Sequence, residues 1–329
     1  MVKVGYKLSS EEHRPGDLVR YARLAEDTGF NFTLISDHYH PWTDRQGQSP
    51  FAWTVLGAIA QATHTIEVGT AVTCPTIRMH PAIVAQAAAT AASLMPGRFL
   101  LGLGTGEALN EHVVGAAWPP IHVRREMLRE AITVIRRLWE GDVTNHAGEY
   151  YQVHNARLYS LPDQAPPLLV AASGTRSAEM AAAVGDGLIG TSPDAKAIKA
   201  FERAGGRGKP RYGELTVCWA SIEAEARQTA HAWWPTAVIP SPLAWELPTP
   251  AHFEAAAHLV TEEAVAESIT CGPDAGRHLE AIRKYARAGF DHVCVHQVGP
   301  DQEGFMDFYG REVLPRLRAL RAVSSLDAA

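Results

Sequence analysis

Short apolar runs alternate with longer amphipathic stretches along nearly the whole chain, and this rhythm restricts the fold more than any other feature. Strands are read at residues 2–8, 31–36, 65–72, 98–104, 168–172, 187–190, 215–221 and 291–296. Helical spacing follows at 17–28, 51–62, 80–95, 123–139, 176–184, 195–204 and 302–319. In the first helix Leu18, Tyr21, Leu24 and Ala25 share a face, Pro15-Gly16 opens the segment and Gly29 stops it. The strands are apolar throughout, so both of their faces must be covered, as happens in parallel sheets. Eight strand-helix units imply a closed α/β barrel, the (β/α)8 TIM barrel. A barrel of this kind accounts for all 329 residues, so 1–329 is read as a single unit.

Two insertions interrupt the rhythm. Residues 141–161 carry Gly-Glu-Tyr-Tyr and Ala-Arg-Leu-Tyr runs, which read as a small antiparallel excursion. Residues 223–268 hold Trp233, Trp234 and Trp245 among five prolines before a helix resumes at Ala251. Such content fits an ordered lid or, nearly as well, a subunit contact.

A formal charge of −6 with no Lys/Arg run argues against nucleic acid or an anionic membrane, leaving a small molecule as the expected partner. Cys74, Cys218, Cys271 and Cys294 are scattered without C-x-x-C spacing, which fits reduced thiols and a cytoplasmic location. The N-terminus lacks the apolar core of a signal peptide, and the apolar stretch 82–95 is too short to span a bilayer.

Chemistry concentrates where strands end. Ser36-Asp37-His38-Tyr39-His40-Pro41-Trp42 follows the second strand, at the edge where parallel α/β proteins place their sites. The same residues could form a polar turn with a satisfied histidine. Gly102-Leu103-Gly104-Thr105-Gly106-Glu107-Ala108-Leu109-Asn110-Glu111 follows the fourth strand, where glycines let backbone approach a flat or anionic ligand, or make a sharp structural turn. Ala171-Ala172-Ser173-Gly174-Thr175-Arg176 precedes a helix and reads as a phosphate seat, although Ser173 or Thr175 would serve equally as a plain cap. Thr70 to Thr76, with Ala71, Val72 and Cys74, could wall a planar ring or simply pack. His38 and His40 alternate across the strand direction and no carboxylate-histidine spacing completes a set, so no metal is expected.

Taken together these runs resemble the luciferase-like superfamily in its deazaflavin (coenzyme F420)-dependent branch, which includes the F420-dependent glucose-6-phosphate dehydrogenases. The resemblance is carried by Gly5-Tyr6-Lys7, Ser36-Asp37-His38 with Pro41-Trp42, Pro75-Thr76, His80-Pro81-Ala82, Ala85-Gln86 and the 104–111 run. It implies an insertion-bearing barrel, a homodimer and coenzyme F420, with FMN as the alternative cofactor. It further implies His38 as the base that takes a hydroxyl proton while hydride leaves the same carbon. Trp42 would steady the oxygen, and Glu107 would sit near the ring with its pKa raised by burial. Glu11 would be an auxiliary acid or base. Asp37 and Asn110 would hold the ring, Ser173, Gly174 and Thr175, flanked by Ala172, the cofactor phosphate, and Ala71–Val72 would be a non-prolyl cis peptide against the ring.

One departure bears on substrate. Where the sugar-phosphate enzymes carry Thr-Ser-Gly-Lys, this chain has Thr191-Ser192-Pro193-Asp194, and a second family lysine expected near 265–268 is absent. A phosphate facing Asp194 and Glu267 would be repelled unless Lys196, Lys199, Arg277 or Arg283 reached in. The expected activity is therefore an F420-dependent dehydrogenase of a neutral alcohol or sugar, with Thr191 as a substrate contact. The alternatives are a sugar-6-phosphate dehydrogenase with a rearranged phosphate site, an FMN-dependent monooxygenase, or an F420 carrier without turnover.

Overall fold

The computed structural model describes residues 2–319; the ends of the span expected as one unit, residue 1 and residues 320–329, lie outside the described residues. Eight parallel strands close into a barrel. They are β1 (Lys3–Leu8), β2 (Phe32–Ile35), β3 (Glu67–Thr70), β4 (Phe99–Leu103), β7 (Leu168–Ala171), β8 (Gly187–Gly190), β9 (Arg211–Cys218) and β11 (His292–Gln297). Closure comes from β9, which pairs with β8 through Ile189↔Tyr212 and with β11 through Cys294↔Glu214. A hairpin of β5 (Thr144–Ala147) and β6 (Gln152–Ala156) fills the first insertion, with the Gly-Glu-Tyr-Tyr run as its turn. The short β10 (Thr270–Cys271) adds to β9 from outside the closed ring.

The outer helices bury one face each on the barrel. Pro15–Thr28 packs Leu18, Tyr21, Ala22 and Ala25 inward, has Pro at its first turn and ends on Gly29 in the left-handed region (φ 92°), as read from the sequence. Two readings need correction. The seventh strand begins at Arg211 rather than 215, because its polar residues find partners in the barrel: Arg211 with Asp291 at 2.9 Å and Glu214 with Lys7 at 2.8 Å. The helical stretches read from the sequence also leave out the helix that precedes β11, Ala275–Ala288, capped by Asp274.

That insertion is mostly helical, with Glu223–Trp233, Ser241–Ala244, Pro250–Ala257 and Glu262–Ser268. Ala226, Ala230, Val265 and Ile269 form a small satellite core with Cys218, Cys271 and Val298, and Trp233 and Trp234 pack against it. No helix among the described residues is long and apolar enough to cross a membrane.

Candidate active site

Along each barrel strand alternate residues point inward. The lower interior is plugged by Phe32, Leu34, Leu100, Leu169, Ile189, Tyr212 and Cys294, with the Phe32 and Tyr212 rings edge to face at 5.1 Å. Above the plug, at the C-terminal ends of the strands, the same inward rows become polar. Lys7 is two residues beyond Gly5, Glu214 two beyond Tyr212, Ser36 two beyond Leu34 and His296 two beyond Cys294. All four line one cavity.

The floor of this cavity is an ion pair. Lys7 Nζ donates to Glu214 Oε2 and to the Ala71 carbonyl, both at 2.8 Å. Burial would lower the Lys7 ammonium, but Glu214, with help from Glu11 and Cys294, holds it above its ordinary value. The Ala71–Val72 peptide is cis, and both residues line the cavity.

His38 and Glu11 form the wall beside it. His38 Nδ1 lies 3.3 Å from Glu11 Oε1, while Ser36 and Ser9 donate to Glu11 Oε2 at 2.6 and 3.0 Å. Burial works to raise the Glu11 carboxyl, yet His38, Lys7, the Ser36 hydroxyl and its own backbone N–H bring it down to about 2. Trp42 stands edge to face with His38 at 4.9 Å and with Phe253 of the insertion at 5.1 Å. The loop after β4, with half-buried Glu107, forms a further part of the wall. Gly104 and Gly106 bring it close to its neighbours: a Cβ at Gly104 would stand 2.5 Å from Val72 Cγ2, and one at Gly106 (φ +79°) 2.8 Å from Glu111 Cγ.

The match to the luciferase-like monooxygenase family model spans residues 1–292. The chain belongs to that family. It is similar over 97% of its length to the F420-dependent glucose-6-phosphate dehydrogenases of Intrasporangium calvum (37% identity, all of the relative covered) and Nakamurella multipartita (36%, 97% covered). Among solved structures, an F420-dependent secondary alcohol dehydrogenase in complex with an F420-acetone adduct superimposes with TM-score 0.88 at 31% identity, covering 95% of this chain and 98% of that one.

Within this luciferase-like barrel the residues singled out from sequence divide into two groups. Glu11, His38, Trp42, Ala71, Val72, Glu107, Ala172, Ser173 and Thr191 line the one cavity. Gly174 and Thr175 adjoin it, Gly174 capping the helix Thr175–Val184 without any side-chain hydrogen bond to the first turn. Asp37, Cys74 and Asn110 stand outside the lining. Asp37 accepts from Arg78 at 2.9 Å and from Thr73 at 2.7 Å, and burial pushes the Cys74 thiol well up. Asn110 Oδ1 accepts the backbone N–H groups of Tyr39 and His40 at 2.8 and 3.2 Å, leaving its buried Nδ2 without a partner.

The charges expected to decide phosphate binding lie elsewhere. Asp194 caps its helix, accepting from Lys196 N at 2.8 Å, and Glu267 is exposed. Lys196, Lys199 and Arg283 are exposed and Arg277 pairs with Glu223 at 2.7 Å, so none of the four lines the cavity. Arg125, one turn into the helix Ile121–Leu138, does line it and has no anionic partner among the described residues. Sequence reasoning passed over Lys7, Glu214, Arg125, His296, Trp234 and Trp245 as cavity residues. Strand alternation carried a signal for the strand residues among them: a polar side chain two positions past an apolar inward one, at a strand's C-terminal end.

Proposed function

We propose that this protein is a coenzyme F420-dependent dehydrogenase that takes hydride from the carbinol carbon of an alcohol or sugar. The observation that carries the reading is the His38–Glu11 pair beside the glycine-rich Glu107 loop: an imidazole held 3.3 Å from a carboxylate that stays ionised down to about pH 2. The residues fit the cofactor on two counts. The helix N-terminus at Thr175 offers backbone N–H groups that no side chain caps, and glycines 104 and 106 keep the wall after β4 thin. When bound, F420 supplies the hydride acceptor, with Ser173, Gly174 and Thr175 holding its phosphate.

The protein's own residues handle the proton. Because Nδ1 of His38 faces Glu11 and the His40 carbonyl, Nε2 is the nitrogen left to receive the hydroxyl proton. Glu11 then balances the imidazolium, the role a buried acid plays behind a catalytic histidine. Trp42, packed on His38, orients the substrate oxygen, and Glu107 is placed to manage the proton taken up on the cofactor side.

A second reading, a sugar phosphate held at a rearranged site, is favoured by Arg125, the unpaired cation of the cavity wall. Purified protein mixed with oxidised F420 and a panel of secondary alcohols, sugars and sugar phosphates tests both. Loss of the oxidised cofactor's absorbance with an alcohol or neutral sugar supports the first reading, and loss restricted to phosphorylated sugars supports the second. Oxygen consumption with FMN and no reaction with F420 would overturn both.

A further inference from the structure

His38 is placed by its loop more than by its own contacts. It lies past the end of β2, in chain that is neither helix nor strand, and its Nδ1 reaches Glu11 and the His40 carbonyl only at 3.3 Å each. The backbone around it, by contrast, is pinned on both sides. Before it, Arg78 Nη2 donates to the carbonyl of Asp37 at 3.1 Å and to its carboxylate at 2.9 Å. After it, Asn110 Oδ1 accepts the N–H groups of Tyr39 and His40, and His40 Nδ1 donates to the Leu109 carbonyl at 2.9 Å. Leu109 and Asn110 belong to one turn of helix, Ala108–Glu111, that begins directly after Glu107. Glu111 of the same turn completes the frame, its Oε2 accepting Arg78 N–H at 2.8 Å and Ile77 N–H at 3.2 Å. The side chains of Asp37 and Glu111 are fully buried and that of Arg78 nearly so, so water competes little for these bonds.

Asn110 is the member whose chemistry separates holding from filling. Its oxygen makes both bonds to the His38 turn, and its buried Nδ2 makes none. An aspartate there would keep the acceptor that the turn uses. A leucine of similar size would remove it and leave two backbone N–H groups unpaired.

Resting on the dehydrogenase reading, we infer that Asn110 is a positioning residue of the reaction: by pinning the backbone that follows His38, with Arg78 pinning the backbone before it, Asn110 holds the imidazole against Glu11 and ties the base to the loop that carries Glu107. It acts through His38 and needs no contact with substrate or ring. The effect on rate is large, since misplacing a reacting group by about 1 Å costs as much as roughly 100-fold.

The test is a cycle of His38→Ala, Asn110→Leu and the double variant, with Asn110→Asp beside it, on F420 and the alcohol or sugar that the parent oxidises. N110L is expected to lower kcat about 10-fold or more, with F420 affinity by fluorescence within about 2-fold. In the H38A background the same substitution should cost less than about 2-fold, because the group it positions is gone. N110D should return kcat to within about 3-fold of the parent. In the cofactor-free protein, the His38 ring signal in NMR spectra of isotope-labelled histidine, identified by its absence in H38A, should shift or broaden in N110L and recover in N110D. Unchanged kcat in N110L, a loss that adds fully to that of H38A, or N110D no faster than N110L would overturn the inference and leave the dehydrogenase reading standing. A parallel loss of F420 affinity would make Asn110 a ring ligand and overturn it as well. Should N110L fail to fold, Asn110→Ala goes through the same cycle. Failure of every alcohol and sugar to reduce F420 would instead overturn the dehydrogenase reading and the inference with it.

Discussion

The two sides of the cavity are built differently. On the strand side, Lys7 and Glu214 stand on barrel strands, Ser36 directly follows β2 and Glu11 lies in the loop after β1, and short hydrogen bonds tie them: Ser36 to Glu11 at 2.6 Å and Lys7 to Glu214 at 2.8 Å. On the insertion side, Trp234 and Trp245 reach the cavity from a segment that is half-buried at best between residues 231 and 250. Its ties to the barrel loops include the Trp245 carbonyl accepting Ala108 N–H at 2.9 Å, Gln46 donating to Trp233 O at 3.1 Å, and Glu246, which pairs with Arg124 at 3.1 Å and accepts from Trp118 Nε1 at 2.9 Å. The difference assigns chemistry to the rigid side and coverage to the other, since lids are drawn from the locally less stable parts of a fold.

The strand side should therefore fail in large steps. Lys7→Met leaves Glu214 charged in the barrel mouth without its cation, an expected cost of about 3–5 kcal/mol in chemical denaturation. The double variant K7M/E214L should recover most of that. A single-variant loss below about 1 kcal/mol would mean that water screens the pair and that this side is less rigid than its geometry implies.

His38→Ala should lower turnover roughly 100-fold or more, the usual share of a general base, while F420 affinity measured by fluorescence stays within about 2-fold. Unchanged turnover would remove His38 from the mechanism. A parallel loss of affinity would make it a cofactor ligand instead.

Glu11 gives a pH signature. Its carboxyl titrates at about 2 in the fold against an ordinary 4.5, so the stabilisation it contributes is present above about pH 4.5 and lost as the pH falls toward 2. Glu11→Gln should cost about 2 kcal/mol at pH 7, and melts of the two proteins should converge between pH 4.5 and pH 2. A gap that stays constant over that range would mean that Glu11 is not held ionised by its neighbours.

Why the strand side was legible and the other less so follows from how each is encoded. A strand that ends in Asp37-His38 and Pro41-Trp42 declares its site locally, because position along the strand and residue type agree. The Ala71–Val72 cis peptide was reached only through resemblance. Long-range pairing is invisible to local pattern: Lys7 and Glu214 are 207 residues apart, and Glu214 sits in a polar start of β9 that reads as loop until its partners are known. Asp194 misled for the opposite reason. An acid next to a suspected phosphate site reads as repulsion, while its oxygen in fact closes the first turn of a helix. The helix Glu223–Trp233 was missed because it buries only Ala226 and Ala230, too small an apolar stripe to show helical periodicity.

The smallest effect is expected at the tie between the two sides. Arg124 is fully buried, stacked over Trp118 at 3.8 Å and donating to the Gly106 carbonyl at 3.1 Å, whereas its partner Glu246 is 55% exposed. Burial lowers the Arg124 guanidinium, and solvent screening limits what Glu246 returns, so Glu246→Ala should cost no more than about 1 kcal/mol in stability. Glu246 follows Trp245, which lines the cavity, so loosening it should raise the substrate KM a few-fold and leave kcat nearly unchanged. A kcat loss approaching that of His38→Ala would place the insertion inside the chemistry and erase the distinction between the two sides. No change in KM would show that the Ala108–Trp245 backbone bond alone seats the indole.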